Sequence, residues 1–361
     1  MKPRKPHSTN NNASRSSPII TWILVALLLL HLLLTSDLPS KIREVIWDKG
    51  ASEHFSDKHN PPQDLMMKDY ELAKQQSYGF FQDISEASWK RLQQIARKHK
   101  PHMHPDNPLK LADTTERQET TPSSHETNYE PDFPCQFEQR VGRNSHGDGP
   151  KWVCDPHRIT NNYRRQRNGS DNKCLVYSIG SNGDFQFETE LQQLLGPGVC
   201  EIHIFAMEDY SKEMKEWSKK HYVADLHFHQ WGPTIAAAAA EENKTGKGMG
   251  NVSKDHKYRS IANIVQSLGH SKREQIDIFM IDCESCEWDA FEEWLDPATM
   301  PRLEQILIGR SPPSKVLPFF DTLRAKGYVA FHKEPNIQHS QGNFIQYGFL
   351  KLAPSFFQNG N

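Results

Sequence analysis

From Cys174 to the carboxyl end, short apolar runs alternate with amphipathic stretches, and this alternation restricts the fold more than any other feature of the chain. Strands are expected at 175–179, 201–205, 224–228, 276–281, 305–308, 328–331 and 343–351. Helices are expected at 185–195, 211–221, 259–268, 288–295 and 316–326. Strands that take turns with helices build βαβ units, which require a mainly parallel sheet. The last two strands have no helix between them and read as a hairpin. Residues 236–257, an Ala run followed by a Gly- and Lys-rich stretch, interrupt the pattern and read as a surface insertion or lid.

The rest of the chain differs in character. Residues 19–34 read IITWILVALLLLHLLL: fourteen of sixteen are apolar and none is formally charged. As a helix this run is about 24 Å long, close to the ~27 Å hydrocarbon thickness of the early secretory membrane. Lys2, Arg4, Lys5 and Arg15 precede it, while acids and bases cancel after it. The positive-inside rule then puts the amino terminus in the cytosol and the bulk of the chain in the endoplasmic reticulum or Golgi lumen. No small-residue cleavage site follows, so the run reads as an uncleaved signal anchor. Sequons at Asn168, Asn243 and Asn251 suit N-glycosylation there.

Residues 36–130 are polar and rich in Pro and His, and read as a stem. Within them, 85–98 has Trp89, Leu92, Ile95 and Ala96 on one helical face, with Ser85 placed to cap. The expected division is a cytoplasmic tail at 1–18, an anchor at 19–35, the stem at 36–130, one α/β domain at 131–354 and a tail at 355–361. The anchor and the stem account for the contrast between a mean hydropathy of −0.74 and a chain that still holds a core. A net charge of −2 argues against nucleic acid as a partner. Six cysteines are too few for a disulfide scaffold, but an oxidising lumen suits a Cys135–Cys154 bridge. Cys174 and Cys200, at the starts of neighbouring strands, read first as buried apolar residues, with a disulfide between them as the second option. Cys283-x-x-Cys286 lacks the second pair that zinc would need and reads as packed thiols or a local disulfide.

Chemistry concentrates where strands end. The first strand runs through Ser178 into Gly180-Ser181-Asn182-Gly183, a turn in which backbone can approach a nucleotide-like ligand. Glu188 follows in the next helix. The second strand ends in Phe205-Ala206, where a ribose-binding carboxylate is expected and absent, so Glu208 or Asp209 is the substitute. The fourth ends in Asp282-Cys283-Glu284-Ser285-Cys286-Glu287, three acids at the carboxyl end of a buried strand, where open α/β sheets place catalytic groups. Asp282 and Glu284 are the catalytic candidates; no metal site is expected. His227 and His229 are read as facing opposite ways, hence a poor metal pair. His332 and Glu334, after a late strand, are read as lining a substrate cleft or as a charged turn.

These motifs together resemble the membrane-anchored methyltransferase-like family of methyltransferase-like protein 24, distantly similar to FkbM-type methyltransferases. The matching pieces are KWVCDPHRI at 151–159, CLVYSIGSNGDFQFE at 174–188, CEIHIF at 200–205, LGH at 268–270, IDIFMIDCESCEW at 276–288, GYVAFHKEPN at 327–336 and QYGFLKL at 346–352. The resemblance implies a class I S-adenosylmethionine-dependent methyltransferase fold, with a Rossmann-like, seven-stranded, mainly parallel sheet. It implies S-adenosylmethionine as cofactor, with Gly180 and Gly183 as its turn and Glu188 nearby; the reading of the strand ends adds Ser178 and Glu208 as cofactor-binding candidates. It implies methyl transfer to an unidentified acceptor, such as a glycan or small-molecule hydroxyl. Two places depart from the family pattern: Ala206 stands where Asp is usual, and Ile308-Gly309-Arg310 stands where a Glu-x-His segment often follows. Two other readings remain open. One is a non-catalytic binding protein of the same fold; the other is a Golgi-type glycosyltransferase, whose anchor, stem and lumenal domain have this layout.

Overall fold

The interior strand β3 (Cys174–Ile179) is buried at all six positions, as a strand covered on both faces must be. Around it a computed structural model describes residues 63–103, 129–142, 150–166, 173–233, 258–283, 286–309, 316–335 and 345–358. A two-stranded ribbon, β1 (Glu138–Val141) and β2 (Lys151–Cys154), precedes β3. After it come β4 (Cys200–Phe205), β5 (Leu226–His229), the short pair β6 (Gly232–Pro233) and β7 (Tyr258–Arg259), then β8 (Gln275–Ile281), β9 (Arg302–Ile308), β10 (Tyr328–Pro335) and β11 (Ile345–Lys351). The seven-stranded sheet has the order β10-β11-β9-β8-β3-β4-β5. Its pairings are parallel except those of β11, which is antiparallel to both β9 and β10.

Alternation along each strand sorts the core into two layers. Val176, Ile202, Ile204, Ile278 and Met280 face one side, packed with Phe187 and Leu191 of α4 (Gln186–Leu195) and Ile159 of α3 (Pro156–Gln166). Leu175, Tyr177, Ile179, Phe279 and Ile281 face the other. There they meet α6 (Ile261–Ser267), α7 (Cys286–Trp294) and α8 (Val316–Ala325). The helix α5 (Ser211–His221) links β4 to β5. Every expected strand and helix of the α/β region is present; the 211–221 helix has its expected bounds and the others have one or both ends shifted. Ser260 shortens the expected 259–268 helix, because its hydroxyl accepts the Asn263 amide at 3.2 Å as a cap. Arg302 lengthens β9: it ion-pairs with buried Glu304 at 3.1 Å, so a charged run extends the strand.

The polar stretch read as stem contains two helices, α1 (Gln63–Gln76) and α2 (Glu86–Met103). Ser85 accepts the Ser88 amide at 3.4 Å at the start of α2. Trp89 is fully buried, 5.3 Å from Phe81, 6.1 Å from Phe133 and 5.5 Å from Phe356 between ring centroids. Its indole donates to Gln76, whose backbone carbonyl accepts the Ala353 amide. A few large side chains on an otherwise polar helix are enough to dock it onto α9 (Pro354–Phe357).

Disulfides join Cys135 to Cys154 and Cys174 to Cys200, and Cys283 is disulfide-bonded as well. The first was expected. The second corrects the reading of Cys174 and Cys200 as apolar residues, since parallel pairing sets them side by side on β3 and β4. Among the described residues no helix is long and apolar enough to cross a membrane. The 19–34 run, the three sequons and the 236–257 insertion lie outside them.

Candidate functional site

The turn after β3 is shaped by contacts that only small residues permit. Gly180 has φ +93°, Asn182 +49° and Gly183 +81°. A Cβ on Gly180 would fall 2.0 Å from the Asp282 carbonyl oxygen, and one on Gly183 would fall 2.9 Å from the Tyr210 ring. The Gly180 amide donates to the Phe205 carbonyl at 3.0 Å, and the Asp282 amide to the Ile179 carbonyl at 2.9 Å. The turn is thereby held at the carboxyl ends of β3, β4 and β8 together. On it, the Ser181 hydroxyl is buried without a hydrogen-bond partner.

Beneath the turn, Ser178 and Glu188 are fully buried and the Ser178 hydroxyl donates to the Glu188 carboxylate. Burial pushes Glu188 up to about 7, against the Ser178 hydrogen bond and the charge of Lys151. These two residues brace the turn from inside the core. Gly180 and Gly183 line it.

Asp282 leaves β8 directly beside Gly180. Its carboxylate accepts a hydrogen bond from Lys151 Nζ at 3.1 Å; the side chains are 15% and 2% exposed. It also lies against Gly309 at the end of β9, where a Cβ would come within 2.0 Å of Oδ2. That gives the departure at Gly309 a physical reason: the missing side chain is the space that Asp282 occupies. Lys151 and Gly309 are the site residues that motif reading did not single out. Lys151 is 131 positions from its partner, and only its place in the KWVC segment drew notice. Glu284 lies outside the described residues. Glu287 is buried in α7, with Oε2 3.0 Å from Cys283 Sγ.

On the other side of β3, among the described residues, Ala206 and not a carboxylate directly follows β4. Ala206 is buried, and its amide donates to the His229 carbonyl at 3.2 Å. The His229 ring stacks on Phe205 and Trp231, with centroids 5.0 and 4.8 Å away. Burial, then His227 and His270, push His229 down to about 4. Glu208 is exposed in the bend that follows, whereas Asp209 accepts the Ser211 amide at 3.0 Å at the start of α5. The late polar group is placed neither after a strand nor in a turn. His332 and Glu334 belong to β10, where His332 stacks on Trp152 at 4.2 Å and Glu334 accepts the Trp152 indole at 2.8 Å. They fasten the β1–β2 ribbon to the sheet.

A seven-stranded sheet of this order, carrying a glycine turn after β3 and an acid after the neighbouring β8, defines a class I methyltransferase fold. Residues 71–351 match a family model described as a methyltransferase domain (Methyltransf_22), and the chain belongs to that family. A methyltransferase domain of this fold takes its methyl group from S-adenosylmethionine. Solved structures show distant likeness of fold. TrmN from Thermus thermophilus is 12% identical over 57% of this chain and 50% of that chain, with a TM-score of 0.30. The chain thus spans half of that relative's length. The human METTL16 N-terminal domain is 12% identical over 56% of this chain and 68% of that chain, at 0.30. A METTL16 MTase domain is 10% identical over 72% and 99%, at 0.31. No curated protein matches the chain.

The described residues fit S-adenosylmethionine in one respect that this structure itself supplies. The turn that would cradle it bears no side chain of its own at Gly180 and Gly183, and its Ser181 hydroxyl is buried without a hydrogen-bond partner.

Proposed function

We propose that this chain is an S-adenosylmethionine-dependent methyltransferase of the secretory pathway, acting on an oxygen or nitrogen of a glycan or small-molecule acceptor. The observation that carries the reading is the juxtaposition of the 180–183 turn with Asp282 at the carboxyl edge of the sheet. When bound, the cofactor supplies an electrophilic methyl group on a sulfonium. The backbone of Gly180 and Gly183 and the Ser181 hydroxyl hold it, and Glu208 is the exposed acid for its ribose. Asp282, fixed by Lys151 and Gly309, orients the acceptor and takes part in removing its proton, with Glu284 as the second acid. Ser178 and Glu188 keep the turn in place.

The location rests on the 19–34 run and its charge asymmetry, on the three sequons, and on disulfides that suit an oxidising lumen. It makes the protein a single-pass member of the methyltransferase-like protein 24 group, with the remainder of the 36–130 stretch as its stem. Calorimetric titration of the full chain with S-adenosylmethionine tests the enzyme reading. Binding that survives Asp282→Asn while methyl transfer is lost supports it, and no heat at millimolar cofactor overturns it. A binding protein without catalysis is the second reading, favoured by the buried Ala206. It predicts weak cofactor binding that Ala206→Asp restores, with no turnover on any lumenal extract fraction.

A further inference from the structure

On the α6-facing side of the sheet four histidines converge. Glu201 and His203 belong to β4, His227 and His229 to β5, and His270 opens the short 3-10 turn 270–272 before β8. Residues two apart on a strand share a face. His227 and His229 accordingly both stack on His203, at 4.8 and 5.2 Å, which corrects their reading as opposed residues. The His270 ring meets His203 edge-on at 4.8 Å.

The hydrogen bonds divide the nitrogens of this group. His203 Nδ1 lies 3.0 Å from His229 Nε2, and His270 Nδ1 lies 2.8 Å from the Tyr177 hydroxyl. His203 Nε2 is buried and has no partner. One ligand atom from each of Glu201, His203 and His270 lies within 4.8 Å of the others. Ligating imidazoles usually have their second nitrogen held by a hydrogen-bonding neighbour, and here His229 and Tyr177 supply that support. Arg273 reaches the Glu201 carboxylate at 3.4 Å, and the two oxygens of that group can serve both Arg273 and an ion.

We propose that Glu201, His203 and His270 form a divalent metal site, with Zn2+ the ion that best suits two imidazoles and one carboxylate. Three protein ligands leave a fourth position for water, and Glu201 and His270 are both partly open to solvent. The ion would tie the 270–272 turn to β4 across β3, because the sheet order places β3 between β8 and β4. It clamps the sheet that positions the cofactor turn, and takes no part in methyl transfer.

The test uses the untagged full chain, dialysed free of metal and reloaded with zinc, with metal measured by elemental analysis. Cobalt is the spectroscopic substitute, since its d–d bands report a nitrogen- and oxygen-ligated tetrahedral site. About one ion per chain is expected, with affinity lowered about a hundredfold or more in His270→Ala and Glu201→Gln. His227→Gln, which stacks on the site but is not a ligand, keeps the ion. His270 lies on a short, partly exposed turn, and the fold of its variant is checked by circular dichroism. Chelation lowers the melting temperature of the wild type and leaves folded His270→Ala unchanged. A wild type that binds no zinc or cobalt, or a His270→Ala variant that binds them as well as the wild type, overturns the proposal.

Discussion

On the β8–β9 flank of β3 a carboxylate is built in. Asp282 is held by Lys151, and glycines at 180 and 309 clear space for its backbone and its side chain. On the β4–β5 flank the corresponding position is Ala206, bordered by stacked imidazole and indole rings, with Glu208 and Asp209 exposed just after it. One flank is specified by contacts that leave no room for substitution; the other is apolar and aromatic where a charged group would bind ribose. The difference places the fixed part of the proposed site on the side of Asp282. It leaves cofactor affinity as the property most open to change.

The comparison breaks most sharply at Gly180. Alanine there meets both a φ of +93° and the Asp282 carbonyl, and is expected to cost about 4 kcal/mol in urea unfolding. A loss below about 1 kcal/mol would mean that the turn relaxes easily and does not hold Asp282. Next in size is Lys151→Met. It removes the partner of a carboxylate that is 15% exposed, so the full cost of breaking a buried pair is discounted to about 2 kcal/mol. A neutral result would take Lys151 out of the supporting structure.

On the opposite flank, Ala206→Asp adds the absent acid. The buried carboxylate is expected to lower the stability of the free protein and to tighten S-adenosylmethionine by about tenfold in calorimetry. Unchanged affinity would show that the flank does not receive the ribose.

The smallest effect concerns Glu188 and its pH dependence. Its folded value of about 7 lies above the ordinary 4.5, so the folded state holds the proton longer than the unfolded chain. Its contribution is complete below about 4.5 and is lost as pH rises towards 7. Glu188→Gln keeps an acceptor for Ser178 and removes the titration. The variant should therefore lose less stability than the wild type between those two pH values, measured by urea midpoints. An identical slope in both proteins would mean that Glu188 is not held protonated under the turn.

Legibility followed the range of the interaction. The 211–221 helix was read with its observed bounds, and the strands ending at Ile179, Phe205, Ile281 and Ile308 were read with the right carboxyl ends. The glycine turn and Asp282 were found because they follow those ends directly. Helix α2 was visible as an amphipathic patch, but its docking through Trp89 was hidden by polar neighbours. Lys151, Gly309 and the Cys174–Cys200 bond gave no local sign of their partners.

The sequence by itself determined the class of the sheet, the turn on its first strand and the acid on its fourth. Each of these is written in periodicity and in residues a few positions apart. Only the tertiary structure decided that Asp282 rests on Lys151 and Gly309, that Glu188 lies beneath the turn, and that Glu201, His203 and His270 converge. The physical reason is that strand order and register set these distances. A parallel sheet brings together residues whose separation along the chain carries no local pattern.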